Sequence, residues 1–91
     1  TWIGARDTAV LLLLYGSGLR ISEALALTPR DVPTAGRDVI RITGKGEKER
    51  LVPILPVTAA AIERYNSLVP FLLDPDVPMF RGAKGRPLSP R

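Results

Sequence analysis

Two groups of residues in this chain could do chemistry. The first is Arg20, in the stretch GSGLRISEALALTPRDV over residues 16–32, with Glu23 three positions further on. The second is the run GKGEKER, which sets Lys45, Lys48 and Arg50 within six residues. Arg20 falls at the predicted start of a helix, where the macrodipole and free N–H groups already present positive potential and a cation is disfavoured. A planar guanidinium added to outward-pointing N–H groups makes a fork that matches two oxygens of a phosphate. The same residue could instead be a surface arginine paired with Glu23. The lysine-rich run reads as a cationic finger able to reach a nucleic-acid backbone, and a lysine among other cations can have its pKa lowered enough to donate a proton. It reads also as protection of a sheet edge, because lysines on an edge hairpin block aggregation. The pattern GKGEK lacks the spacing of a P-loop and does not open a helix, so that reading is rejected.

The rest of the composition narrows the chemistry. The 91 residues include no cysteine and no histidine. That excludes a disulfide framework, a thiolate metal site and the commonest general base. Thirteen Lys and Arg against nine Asp and Glu leave a net charge of +4. Such a balance suits an anionic partner, nucleic acid ahead of an anionic membrane surface, and it also serves plain solubility. The longest apolar run, Ala9 to Leu14, is far short of the ~20 residues a membrane span needs. No export-signal pattern is visible. The length allows one domain with a small core. A chain that opens at Thr1 and stops just after PLSPR reads as a piece of something longer.

Periodicity predicts the elements that must position these groups. Ala5–Tyr15 reads as a helix whose apolar residues are not confined to one stripe, as in a helix buried on most sides. The triplet Gly16–Gly18 breaks it, Ser17 or Gly18 can cap a second helix over Leu19–Leu27, and Pro29 ends that helix. Arg37–Thr43 changes to a strand period, with Val39 and Arg41 on one face and Ile40 and Ile42 on the other. A glycine turn and a returning strand, Arg50–Ile54, complete a hairpin with a basic tip. A third helix is expected from a Thr58 cap to about Leu68. Met79 and Phe80 could add a third strand, and the basic, glycine-rich end from Arg81 reads as mobile. The predicted class is α+β, mostly helical with a small antiparallel hairpin or three-stranded sheet. Leu12, Leu25, Ile40, Ile42 and Ile62 are the predicted core.

Taken together, the two motifs resemble the first half of the catalytic domain of tyrosine recombinases, in particular the Xer recombinases and phage-type integrases. The family pattern Y-x-x-G-L-R-x-S-E-x-x-x-L is met by Tyr15, Gly18, Leu19, Arg20, Ser22, Glu23 and Leu27. The pattern G-K-G-x-K-x-R-x-V-P is met by Gly44, Lys45, Gly46, Lys48, Arg50, Val52 and Pro53. The resemblance implies an enzyme that cuts double-stranded DNA by attack of a tyrosine on the scissile phosphate, leaving a 3′-phosphotyrosine and a free 5′-hydroxyl. It implies no metal, no cofactor and no small-molecule substrate, so cations of the protein must neutralise the developing phosphorane charge. On this resemblance Arg20 is the first catalytic arginine, and Lys45 is the acid for the leaving 5′-oxygen. Glu23 supports the Arg20 guanidinium, and Lys48 and Arg50 are DNA-backbone contacts or structural partners. The resemblance further implies a tetramer on paired sites and a cytoplasmic, prokaryotic setting without membrane attachment.

The family pattern also extends past what these residues hold. Its H-x-L-R segment, a later histidine or tryptophan, and the nucleophilic tyrosine would all lie further toward the C-terminus. Tyr15 and Tyr65 are expected to be packing residues. The 91 residues thus read as one truncated catalytic domain, inactive alone. The competing reading is a non-enzymatic, helix-turn-helix-like nucleic-acid-binding module with Leu19–Leu27 as its recognition helix.

Overall fold

The computed structural model describes residues 1–32, 39–43 and 48–89. Thr1 begins it as a cap: its Oγ1 accepts the Gly4 N–H at 3.1 Å, which satisfies one of the orphan donors at the start of helix α1, Trp2–Gly16. Ala5, Ala9, Val10 and Leu13 are the buried residues of α1. They recur at intervals of three and four, so a single face is covered, against the third helix and the second. The expectation of burial on most sides is therefore corrected. Leu12 is only partly buried, Leu11 is half exposed, and Tyr15 is 85% exposed and does not pack.

The break after α1 is real but its geometry differs from the expectation. Gly18 takes φ +69°, a conformation open to glycine at little cost. Arg20 then stays extended, at φ −76° and ψ 152°. The second helix, α2, is thus shortened to Ile21–Leu25, with Arg20 rather than Ser17 or Gly18 as its N-cap. Leu19, Ala24, Leu25 and Leu27 are buried. A 3-10 turn at Pro29–Asp31 follows, begun by a proline that has no N–H to lose.

Strand β1 (Val39–Thr43) pairs antiparallel with β2 (Glu49–Pro53), Ile40 opposite Val52 and Ile42 opposite Arg50. The alternation read from the sequence holds: Ile40 and Ile42 are buried, while Val39 and Thr43 face out. Pro53 pairs only with Val39 at the end of the ladder, where its missing N–H costs least. The stretches 33–38 and 44–47 lie outside the described residues, and with them the glycine turn and Lys45. Helix α3, Pro56–Leu68, has Leu55 as N-cap and Pro56 in its first turn. The predicted Thr58 cap lies within the first turn of the helix instead, fully buried.

After α3 the chain returns across the end of α2. The Met79 N–H bonds to the Leu27 carbonyl at 2.8 Å, and the Leu88 N–H to the Phe80 carbonyl at 2.8 Å. These bonds, and the Tyr65 hydroxyl on the Met79 carbonyl at 2.6 Å, occupy the backbone groups a third strand would need. Among the described residues the sheet accordingly has two strands, and an isolated bridge joins Arg81 to Pro87. The end that read as mobile is instead a closed turn. The Gly82 N–H reaches the Arg86 carbonyl at 2.7 Å, and Arg81 is buried, bonding the Pro78 and Gly85 carbonyls. Gly85, at φ +91°, lies where a Cβ would come 3.0 Å from the Phe71 ring. Sequence composition saw basic residues and glycines here; it could not see that Phe71 and Arg81 give them something to close on.

Candidate active site

The site starts from the extended N-cap of α2. Arg20 is exposed there, and its guanidinium has no hydrogen-bond or ion-pair partner among the described residues. Arg64 and Arg86 are likewise exposed without a side-chain partner among the described residues, but the other five described arginines are held. Arg30 is held by Asp76 at 2.7 Å, Arg41 by Asp31 at 3.1 Å, and Arg50 by Glu23 at 2.9 Å. Arg6 and Arg81 bond to backbone carbonyls. The helix-dipole argument for an anion at Arg20 is weakened, because a five-residue helix sums few peptide dipoles. What remains is an unpaired planar fork on a defined stretch of backbone.

Glu23 sits one turn on but does not meet that guanidinium. One carboxylate oxygen, Oε1, accepts the Arg20 backbone N–H at 2.9 Å. The same oxygen takes Arg50 Nη2 at 3.3 Å, and Oε2 takes Arg50 Nη1 at 2.9 Å. Glu23 thus supports the Arg20 main chain, and Arg50 is a structural partner across 27 residues. The register explains the reach: Arg50 stands opposite Ile42, and cross-strand partners project to the same face of a sheet, here the inward one. Only the turn length and the register decide this, so the two motifs read separately gave no signal of it. Lys48 is exposed immediately before β2.

The hydrogen bond from Arg50, then that from the Arg20 N–H, hold the Glu23 carboxyl below its ordinary value of 4.5 against a smaller opposing effect of burial. A lowered folded pKa contributes stability that is fully present above the unfolded value and lost as pH falls through the folded one. Glu23→Gln is therefore expected to lower the melting temperature at pH 7, and the two proteins should converge as pH falls below the ordinary carboxylate value of 4.5 and through the lowered folded one. The effect is small, since an ion pair this open to water is worth about 0–1 kcal/mol. Thermal unfolding followed across pH 3 to 7 (about the range in which carboxylates titrate) reads it, and a gap that widens toward low pH would contradict the assignment.

Tyr65 is sealed in the core at 0% exposure. Its hydroxyl donates to the Met79 carbonyl at 2.6 Å and accepts the Arg81 N–H at 3.0 Å. Burial raises its pKa, and the Arg81 N–H offsets part of that. It packs, as expected, and cannot reach a phosphate. The recognition-helix reading fares poorly on the same geometry. Five residues of helix extend only about 7–8 Å, and Ala24 and Leu25 face the core. No helix is long and apolar enough to cross a membrane, and no cluster of potential metal ligands occurs among the described residues.

Residues 2–89 match the model of the Phage integrase family. The chain belongs to that family. This phage integrase family chain is 58% identical over 89 residues to the tyrosine recombinase XerC of Mesorhizobium japonicum, covering 98% of this chain and 28% of that protein. It is 56% identical over 92 residues to XerC of Bradyrhizobium diazoefficiens, covering 29% of that protein. It spans well under a third of the length of these relatives. Its fold matches the crystal structure of XerA recombinase with a TM-score of 0.76 at 22% identity, over 93% of this chain and 30% of that one. It also matches the Tn1549 transposon integrase, solved in complex with circular intermediate DNA, with a TM-score of 0.62 at 24% identity, over 94% of this chain and 32% of that one. The predicted α+β class and the predicted family are thus both found.

Proposed function

We propose that this chain is the first part of the catalytic domain of a site-specific DNA recombinase that breaks and rejoins DNA through a 3′-phosphotyrosine. Arg20 is its first catalytic arginine and Lys45 the acid for the leaving 5′-oxygen. The observation that carries the reading is that the arginine at the motif position, Arg20, is exposed and without a partner among the described residues, as Arg64 and Arg86 outside the motifs also are, while Arg50 of the second motif is held by Glu23. A guanidinium fork left open by the protein suits two non-bridging phosphate oxygens and the extra charge they carry in the phosphorane. Lys45 lies outside the described residues, and its role rests on its place in the hairpin motif. Lys48 follows as a DNA-backbone contact. The similarity to proteins named as tyrosine recombinases supports DNA as the partner; double-stranded DNA and a tetramer on paired sites belong to the same proposal.

The nucleophile is a tyrosine of the following part of the domain. The full-length protein is expected to give a DNA–protein adduct that survives denaturing electrophoresis on a duplex nicked beside the cleavage point, where the short product escapes and religation stops. A polypeptide of these 91 residues should give none. An adduct on the short polypeptide would overturn the assignment, and it would point to the exposed Tyr15 rather than the buried Tyr65.

A further inference from the structure

We propose that Arg50 is a positioning residue for Arg20, acting through the Glu23 carboxylate, and is not a DNA contact. The inference rests on the reading of Arg20 as a phosphate ligand. Arg20 sits between two partial restraints. Upstream is Gly18, at φ +69°, a residue that pivots at little cost. Downstream is a helix of five residues, whose bond from the buried Ala24 N–H to the Arg20 carbonyl at 3.0 Å fixes the carbonyl side of Arg20 but not its N–H side. Leu19 is anchored by burial and by its N–H on the Leu13 carbonyl at 3.2 Å, so the group left without a backbone partner is the Arg20 N–H. The Glu23 carboxylate closes that gap by accepting the Arg20 N–H at 2.9 Å.

Glu23 is itself held from the other side. The Arg50 guanidinium takes both of its oxygens, at 2.9 and 3.3 Å, in a two-point geometry that fixes the plane of the carboxylate. Arg50 stands on the largely exposed strand β2, which is held through its pairing with β1, where Ile40 and Ile42 are buried, and through the partly buried Val52. The chain of contact therefore runs from the sheet, through one ion pair, to the main chain of Arg20. Removing Arg50 has two consequences. The carboxylate is free to rotate away from the Arg20 N–H. It is also left as an unpaired anion one turn from the Arg20 guanidinium, where it competes with phosphate for the fork. Both act on the reacting geometry, whereas the pair contributes little to stability at 51% exposure of the Arg50 side chain.

The test compares Arg50→Ala, Arg50→Gln and Arg50→Lys with Arg20→Ala in the full-length protein, using single-turnover cleavage, DNA affinity across a salt series, and thermal unfolding. The expected result for Arg50→Ala and Arg50→Gln is a fall of about 10- to 100-fold in cleavage rate, the scale of a misplaced reacting group. DNA affinity and the slope of log affinity against log salt should be unchanged. Arg50→Lys, which keeps the charge but not the fork, should recover part of the rate. In an Arg20→Ala background, Arg50→Ala should cost nothing further. A salt slope shallower by about 0.9, the signature of one lost phosphate contact, would overturn the proposal. So would an unchanged rate, or a melting temperature low enough to account for the rate loss in both Arg50→Ala and Arg50→Gln. If Arg20→Ala leaves cleavage intact, the reading of Arg20 fails; if Arg20→Ala abolishes cleavage and Arg50→Ala does not slow it, only the positioning inference fails.

Discussion

Arg20→Ala in the full-length protein is expected to slow DNA strand cleavage by about 100- to 1,000-fold or more, the range seen when one preorganised donor to a developing oxyanion is removed. DNA affinity should stay within a few-fold. The asymmetry follows from when the guanidinium acts. A phosphate in ground-state DNA already has counterions and water, and many cations of the protein share its binding. The phosphorane carries more charge on the same oxygens, in a site from which water is displaced, so a fixed fork contributes most at that moment. Arg20 is suited to this because no carboxylate among the described residues competes for its guanidinium, in contrast to the Arg50–Glu23 pair at 2.9 Å. Arg20→Lys should rescue poorly, since an ammonium cannot span two oxygens. Pre-steady-state cleavage beside equilibrium binding makes the measurement. Parallel loss of rate and affinity would instead favour a binding module.

The second large effect is on stability. Phe80→Ala is expected to cost about 3–5 kcal/mol, a large share of the roughly 5–15 kcal/mol that holds a typical domain together. Phe80 is fully buried and lies tilted against Tyr65 with ring centroids 5.2 Å apart. Its carbonyl also accepts the Leu88 N–H, so the ring anchors the segment that closes over the end of α2. Tyr65→Phe removes only the hydroxyl, but it leaves the Met79 carbonyl and the Arg81 N–H unpaired in the interior, at about 1–3 kcal/mol. The expected order is therefore Phe80→Ala below Tyr65→Phe below the parent protein in thermal unfolding. A Phe80→Ala protein that melts with its parent would mean that this segment is not part of the core.

Several features were legible from residues near one another in sequence. The alternation of Val39, Ile40, Arg41 and Ile42 marked the strand and its buried face, because side-chain direction along a strand has a period of two. The Gly16–Gly18 break marked where the first helix must stop, whereas the second ends at Leu25, short of Pro29, which opens the 3-10 turn instead. Tyr65 was rightly taken as a packing residue. Other expectations failed where a distant partner overrode local preference. Tyr15 sits in a helix with apolar residues on every side, yet none of the described residues covers it. Met79 and Phe80 have strand-like composition, but Leu27, Tyr65 and Leu88 take their backbone groups. The end from Arg81 looked mobile by composition, and it closes because Phe71 lies against Gly85 and because carbonyls surround the Arg81 guanidinium.

The candidate site divides along the same line. Residue type and spacing alone picked out Arg20, Glu23, Lys45, Lys48 and Arg50, and the two motifs containing them, because covalent order sets which chemistry can be offered and in what sequence. Which arginine stays open and which is tied down was settled only by the folded chain. Arg50 meets Glu23 across 27 residues because the antiparallel register turns it inward, and Arg20 is left with an exposed guanidinium because that same carboxylate takes its backbone N–H. Pairings of this kind depend on strand register and on how an extended N-cap directs its side chain, and both are properties of the assembled structure.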